Sequence, residues 1–314
     1  MDTFTHISRP LHRLFISVSN TFPMRCDLHV HTKASGMCNT AFVRRFCRES
    51  YNDAQAVYDR CKRLGMSIVT VTDHDSIDAA ELLRDRLDFF LSEEVTCSLP
   101  SGTELHLGAY GITDRDHIEI QRRRNDFISL LMYLTERRIF YSVNHVFSGL
   151  TGRRKLEDFE WFASYALALE TRNGQMWSRA NEEAERLAVS YGKIGIAGSD
   201  SHTLAGVGRT YTEVRGARTV EEFFAGLRAH RGRIRGDHGS LAKITADVFR
   251  ITGSLFQEKP WTIAMSPLAA LLPAITVGHW FNEIRFCKTW AKKVNASETV
   301  RRPLWDLDAN FHEA

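Results

Sequence analysis

Between about residues 24 and 238, short apolar runs alternate with longer segments of helical periodicity, and this alternation constrains the fold more than any other feature of the chain. The runs are Met24–Val30, Ser67–Thr72, Phe89–Val95, Glu104–Tyr110, Phe140–Val146, Ala166–Glu170, Lys193–Ala197 and Arg209–Val214. Helix-like segments separate most of them, at Asp53–Leu64, Ser76–Leu87, Asp114–Arg138, Lys155–Ala163, Met176–Tyr191 and Val220–His230. Asp53 reads as the N-cap of the first and Gly65 as its stop. Ser98–Gly102 reads instead as a hairpin turn, because Pro100 and Gly102 lie between a pair of strand patterns. The alternation predicts an α/β fold with a mainly parallel sheet, and seven or eight strands allow closure into a barrel. With 314 residues, 43% of them hydrophobic, the chain can bury a sizeable core.

Six of the thirteen histidines, with several carboxylates, fall at the ends of the predicted strands. Asp27-Leu28-His29-Val30-His31-Thr32 places two imidazoles two residues apart, on the same side of an extended strand. Thr72-Asp73-His74-Asp75 closes the second strand. Glu94, His106, His145 and Glu170 follow on later ones, and Gly198-Ser199-Asp200-Ser201-His202 ends another. A parallel barrel gathers such strand ends at one mouth, so donors far apart in sequence can meet there. Nitrogen and carboxylate donors without thiolate suit Zn²⁺, Mn²⁺ or Fe, and their number exceeds what one ion needs. Two or three clustered divalent ions are therefore expected. Each motif alone is weak. Asp75 or Ser76 can cap a helix, Glu93 reads as the solvated neighbour of Glu94, and His106 and His145 are each compatible with a core position. Their equivalent places in the alternating pattern carry the joint reading.

The ordered set Asp-Leu-His-x-His-Thr, Thr-Asp-His-Asp, a strand-end Glu, His-Leu-Gly, Asn-His and Ser-Asp-x-His resembles the PHP (polymerase and histidinol phosphatase) domain, over about residues 24–238. The resemblance implies a distorted (β/α)7 TIM-like barrel, a two- or three-metal site and phosphoesterase activity. It implies one ion on His29, His31, Glu94 and Asp200, and a second, bridged by Glu94, on His106 and His145. A third would lie near His74 and His202, with Asp73 as ligand or orienting partner. Many members carry an Asp or His shortly after the Ser that follows His-x-His-Thr, whereas here Ser35 precedes Gly36, Met37 and Cys38. One ligand of the third ion is thus missing from its usual place, with Cys38 or Asn39 as the nearby substitutes.

Two cations a few ångströms apart can hold one hydroxide between them at neutral pH and bind the oxygens of a phosphate ester. The expected substrate is a small phosphomonoester or nucleotide-type ester. His202 or Asp73 would protonate the leaving oxygen. Arg172 is the best placed phosphate grip, ahead of Lys33, Arg153, Arg154 and Arg179. No Gly-x-Ser-x-Gly elbow or Gly-x-x-x-x-Gly-Lys loop is present in the sequence. The alternatives are amide hydrolysis on the same metals, or a membrane-associated metal-binding module without turnover. A net charge of +3 and the lack of an aromatic–basic stripe make a long nucleic acid an unlikely substrate.

The segments outside 24–238 differ in texture. Residues 1–23 read as a short leader, since Leu14–Val18 is too brief for an export signal. Six scattered cysteines without a C-x-x-C pair suggest a reducing, cytoplasmic compartment. The tail, 239–314, contains Trp261–Phe281, a run of 21 residues without Asp, Glu, Lys or Arg, interrupted by Pro267 and Pro273. Lys288, Lys292, Lys293, Arg301 and Arg302 follow it. Its length suits a bilayer crossing, but a crossing from the cytoplasm would carry these positives outward. A Pro-broken hairpin in one leaflet, at the cytoplasmic face of a membrane, is one expectation. A pair of buried helices is the other.

Overall fold

The computed structural model describes residues 22–39, 43–297 and 300. The leader, but for its last two residues, lies outside the described residues, as do Arg301 and Arg302. In chain order the elements are β1 (Met24–Cys26), α1 (Ala54–Arg63), β2 (Ser92–Ser98), β3 (Glu104–Tyr110), α2 (Asp114–Arg123), α3 (Phe127–Glu136), β4 (Phe140–Val143), α4 (Leu156–Tyr165), β5 (Ala168–Asn173), α5 (Ser178–Ser190), β6 (Ile194–Gly198), β7 (Thr210–Val214), α6 (Val220–Arg228), β8 (Gly232–Gly236), α7 (Leu241–Glu258) and α8 (Leu272–Ala296). The class is mixed α/β, as expected.

The sheet is less parallel than its sequence pattern suggests. One sheet has the order β2-β3-β4-β5-β6 and the other β1-β7-β8, and only the pairs within β4-β5-β6 are parallel ladders. The cause at β2–β3 is local. Leu99 and Thr103 close the tight turn that Pro100 and Gly102 announce, and a hairpin makes its two strands antiparallel. Among the described residues neither sheet closes on itself. Single parallel bridges, Val30 to Ser201, Val69 to Phe89 and His74 to Glu94, link the strand ends into a ring. Ser67–Thr72 forms no ladder of its own. Its Thr70 hydroxyl donates to the Phe90 carbonyl at 2.8 Å and its Thr72 hydroxyl to the Val30 carbonyl at 3.2 Å, so side chains share in the pairing.

Helix ends follow capping chemistry. Asp53 caps α1 through Gln55 N–H at 3.0 Å, and Gly65 stops it at a φ of +80°. The expected long helix Asp114–Arg138 is two helices. Thr113 and Asp116 form a capping box on α2, and Asp126 starts α3 by accepting from Ser129 N–H at 3.1 Å. Ser76–Leu87 yields only a 3₁₀ turn, Asp78–Leu82, which lacks a side-chain cap.

The tail differs from both expectations. Residues Pro260–Leu271 form a 3₁₀ segment that runs into α8 without reversing, so the prolines make no hairpin. The combined Pro260–Ala296 stretch is long and apolar enough to cross a membrane. Its far half is docked: Cys287, Ala291 and Val294 join the main core, and the Trp290 ring lies 5.7 Å from that of Phe159. Its near half is not a buried pair, because Trp261, Ile263, Leu268, Leu271, Ile275 and Phe281 are all exposed.

Candidate metal centre

The ring of strand ends brings eight of the expected donors together. His29, His31, His74, His106, His145, His202, Glu94 and Asp200 form four overlapping groups, each with its ligand atoms within 4.8 Å of one another. His29 and His31 leave β1 two residues apart, as an extended segment requires. Gly198 makes their approach possible, since a Cβ there would collide with the His29 backbone. Asp200 and His145 hold positive φ angles, 49° and 30°, two of five such non-glycine residues among those described.

The first donor set has the shape of a coordination shell. Four donors at about 2.1 Å from one ion sit roughly 3.4 Å apart in a tetrahedron. His29 Nε2 lies 3.0 Å from His31 Nε2 and 3.2 Å from Glu94 Oε2, and His31 Nε2 lies 3.4 Å from that oxygen. Asp200 Oδ1 completes the set at 3.5 Å from His29 and 3.3 Å from His31. The outer contacts fix the tautomers. His29 Nδ1–H donates to Glu170 Oε1 at 2.9 Å. Ser35 Oγ donates to Asp73 Oδ1 at 2.6 Å, so it accepts from His31 Nδ1–H at 3.0 Å. The two Nε2 atoms thus face each other and the Glu94 and Asp200 carboxylates in a buried site, where a proton on His29, or a cation in its place, would balance the negative charge.

Glu94 shares its other oxygen with a second set. Glu94 Oε1 lies 3.3 Å from His145 Nε2 and 3.6 Å from His106 Nδ1, and these two nitrogens are 3.3 Å apart. Asn144 Nδ2 donates to the same oxygen at 2.8 Å and is itself held by Ser142 Oγ at 2.7 Å. A third set contains a residue the sequence pattern did not flag. Glu49 reaches His74 Nε2 at 3.4 Å and His202 Nε2 at 3.5 Å. His202 Nδ1 lies 3.1 Å from the Asp200 carbonyl, which leaves Nε2 to face Glu49 as its ion-pair partner. Glu49 is not among the expected donors. It sits on the loop before α1, where no periodicity marks it.

The electrostatics suit cations. Burial disfavours a charged His29, yet Glu94, Asp200 and Glu170 outweigh it and hold this imidazole well above its ordinary value. Burial would raise Glu94, but His29, His106 and His74 hold it well below the usual carboxylate range. Burial and the neighbouring His202 push His31 down to about 3, so it keeps a lone pair at neutral pH. Glu170 and Asn173 form the floor. Glu170 Oε2 accepts from His145 N–H at 3.0 Å and from Asn173 Nδ2 at 2.9 Å, and Asn173 Nδ2 also reaches Asp200 Oδ2 at 2.9 Å.

Other expected site residues point elsewhere. Asp73 accepts from Thr32 N–H at 2.6 Å, Thr32 Oγ1 at 2.7 Å and Ser35 Oγ at 2.6 Å, so it ties down the loop behind His31 and offers no free oxygen to an ion. Successive extended residues face opposite sides, and His74 takes the inward one. Arg172 donates to the Gly236 carbonyl at 3.3 Å, because an irregularity between Glu170 and Arg172 turns Asn173 inward instead. Arg154 is buried against Thr151 and the Glu104 carbonyl, Arg179 pairs with Glu183 at 3.0 Å, and Lys33 and Arg153 are exposed. Glu93 is buried rather than solvated, accepting from Gln121 at 2.7 Å with His117 Nδ1 2.9 Å away. Asp75 accepts from Thr96 N–H at 2.9 Å and pairs with Arg124, leaving helix capping aside.

A sequence profile described as PHP-associated matches residues 178–231, the stretch from α5 to α6 that carries Asp200 and His202. No curated protein matches the chain. Among solved structures, PsfC from Pseudomonas syringae PB-5123 is similar at 16% identity and a TM-score of 0.54, over 74% of this chain and 98% of that one. A protein from Bifidobacterium adolescentis, named for a proposed metal-dependent phosphoesterase activity, gives 14%, 0.41, 64% and 95% for the same quantities. A lesion-specific endonuclease from Pyrococcus furiosus gives 16%, 0.45, 68% and 58%.

Proposed function

This chain belongs to the PHP domain family, by its PHP-associated segment and the ordered donor motifs, and from that premise we propose that it hydrolyses a phosphate ester with divalent metal ions. On this proposal the linked strand ends are the mouth of a distorted (β/α)7 barrel. The observation that carries the proposal is the placement of Glu94, whose Oε2 faces His29 and His31, with His74 Nδ1 also 3.4 Å away, while its Oε1 faces His106 and His145. A carboxylate shared in this way suits a pair of ions close enough to act on one phosphoryl group.

His29, His31, Glu94 and Asp200 would hold one ion, Glu94 with His106 and His145 a second, and Glu49, His74 and His202 a third. Bound there, Mn²⁺, Zn²⁺ or Fe would supply Lewis acidity and a water of lowered pKa. The protein's own role is positional. Glu170 aims His29 and, through Asn173, Asp200. Asn144 aims Glu94, and the Ser35–Asp73 pair aims His31. These contacts fix donors before substrate arrives, so little reorganisation is left for the reaction. We assign His202 to the third set rather than to proton donation, because its Nε2 faces Glu49 beside His74.

The test is to strip full-length protein of metal, reload it with Mn²⁺, Zn²⁺ or Fe²⁺, measure bound metal by mass spectrometry, and screen phosphomonoesters, phosphodiesters, nucleotide bisphosphates and amides. Metal-dependent turnover of a phosphate ester is the expected outcome. Activity on amides alone would replace phosphoesterase with amidase chemistry. Metal binding without hydrolysis of any compound would leave a binding module.

We further propose that the exposed apolar stretch from Trp261 to Phe281 seats the protein on the cytoplasmic face of a bilayer without crossing it. Support comes from its uncharged sequence, from the six exposed apolar side chains along it, and from the docked far half of α8, which leaves no free second end to emerge. Co-flotation with liposomes, lost on Leu268→Glu with Leu271→Glu, is the expected result. Full-length protein that stays with the soluble fraction would end the idea.

A further inference from the structure

A cavity of about 200 Å³ opens from the donor cluster into the angle between the barrel mouth and the tail. Glu49, Asp200 and His202 form its metal end. Its other walls are Ile244, Val248 and Ile251 of α7, Met176 and Trp177 ahead of α5, and Trp280 of α8. No lysine or arginine is among the described residues that line it. Its two remaining carboxylates are already engaged. Asp247 accepts from Thr203 Oγ1 at 2.7 Å, Gln175 Nε2 at 3.0 Å and its ion-pair partner Arg250 at 2.9 Å, and Glu283 accepts from Ser148 Oγ at 2.7 Å.

A site that binds a second phosphate, a nucleotide or a sugar phosphate needs cations or free polar groups beyond the metals. Here most of the lining is aliphatic and indole surface, the polar exceptions being His279 and Gln175, whose amide is spent on Asp247, and Glu283 would repel an additional anion. The tail builds this wall rather than trailing from the domain. Lys243 of α7 donates to the Gly174 carbonyl at 2.6 Å, and Glu283 holds the Ser148–Gly149 turn that follows His145.

Resting on the phosphoesterase reading, we propose that the substrate is a phosphomonoester of an uncharged, apolar alcohol, its phosphate on the donor cluster and its hydrocarbon chain against α7 and Trp280. The tail is then the specificity element of the site.

The test uses full-length, Mn²⁺-loaded protein and pairs turnover with binding. Turnover is compared on hexyl phosphate, glycerol phosphate, phosphocholine and a nucleoside bisphosphate, whose leaving groups are all alkoxides. Binding of hexylphosphonate, which cannot be hydrolysed, is followed by tryptophan fluorescence and calorimetry against 2,3-dihydroxypropylphosphonate. We expect kcat/KM at least tenfold higher for hexyl phosphate than for the other esters, and the same order in binding. In Trp280→Ala, and independently in Ile251→Lys, the ratio of hexyl to glycerol phosphate should fall towards one. Equal or faster turnover of glycerol phosphate, phosphocholine or the bisphosphate overturns the apolar assignment and leaves phosphoesterase activity standing. Selective hexylphosphonate binding without turnover of any ester supports the cleft and overturns the phosphoesterase reading.

Discussion

Two polar clusters in this molecule are each built around a buried carboxylate and end in opposite states. At the start of α2, Asp116 Oδ1 accepts from Tyr133 Oη at 2.6 Å and Arg137 Nε at 3.1 Å, while Oδ2 accepts from Thr113 N–H at 3.0 Å and Thr113 Oγ1 at 2.6 Å. All of its acceptor capacity is used. At the strand ends, by contrast, His29 Nε2 faces His31 Nε2 at 3.0 Å, and the buried Nδ1 atoms of His74 and His145 have no hydrogen-bond partner. Two donor residues there also keep left-handed backbone angles. A polar cluster that satisfies itself contributes to stability, whereas one held open at a cost in strain and desolvation is arranged for something outside the chain. The contrast separates structure from function without reference to any relative.

The sharpest way to break the comparison is to remove donors. His31→Ala and Asp200→Ala should each lower phosphate-ester turnover on the order of 10³-fold, since several kcal/mol of charge stabilisation is at stake and each 1.36 kcal/mol is tenfold. Without metal, His31→Ala should melt within a degree or two of the parent, whereas Asp200→Ala, which takes away a charge partner of His29 and an acceptor for Asn173, should melt lower. With Mn²⁺, the parent's Tm should rise and the variants' should rise less. A large loss of metal-free stability in both would show that the strand-end cluster is a structural network like that around Asp116. One shell further out, Glu170→Gln weakens the aim of His29 without removing a donor. A fall of about 10–100-fold in metal affinity or activity is expected, read by metal titration alongside kinetics.

How much of this was legible in the sequence depends on what each residue's neighbours reveal. The donors could be found because strand ends are marked by apolar runs, and the runs gave their places in order. Strand direction could be found only at the Ser98–Gly102 turn, which sets β3 against β2; elsewhere a period of two reads the same both ways, and the antiparallel pairing of β4 with β3 went unseen. Adjacent residues at a strand end were the other difficulty. Glu93 and Glu94 face opposite sides of β2, and since both sides are covered, the one off the site packs on His117 and Gln121 rather than meeting solvent. Asp73 and His74 diverge in the same way. Glu49 was invisible for a different reason: its loop has no pattern, and only the fold carries it to His74 and His202. The tail's composition was plain, but its docking rests on long-range contacts, such as Glu283 with Ser148, that no local window contains.

The smallest expected effect tests the satisfied side of the comparison. Asp116→Ala should leave turnover unchanged, because nothing in its cluster touches the donors. It should cost about 1.5–3 kcal/mol of folding stability at pH 7, the range for a hydrogen-bonded charge that leaves its donors unpaired. Burial would raise this carboxyl, but the bonds from Thr113, Tyr133 and Arg137 prevail and hold it at about 2. A group whose folded value lies below its unfolded value stabilises the fold above the ordinary carboxyl range, and that contribution is lost as pH falls through the folded value. The difference between parent and Asp116→Ala, measured by urea denaturation, should therefore be full at pH 7, begin to shrink near pH 4 and be largely gone by pH 2. A difference that stays constant over that window would mean that Asp116 acts through packing and not through its charge. The self-satisfied cluster would then be no electrostatic counterpart to the open one.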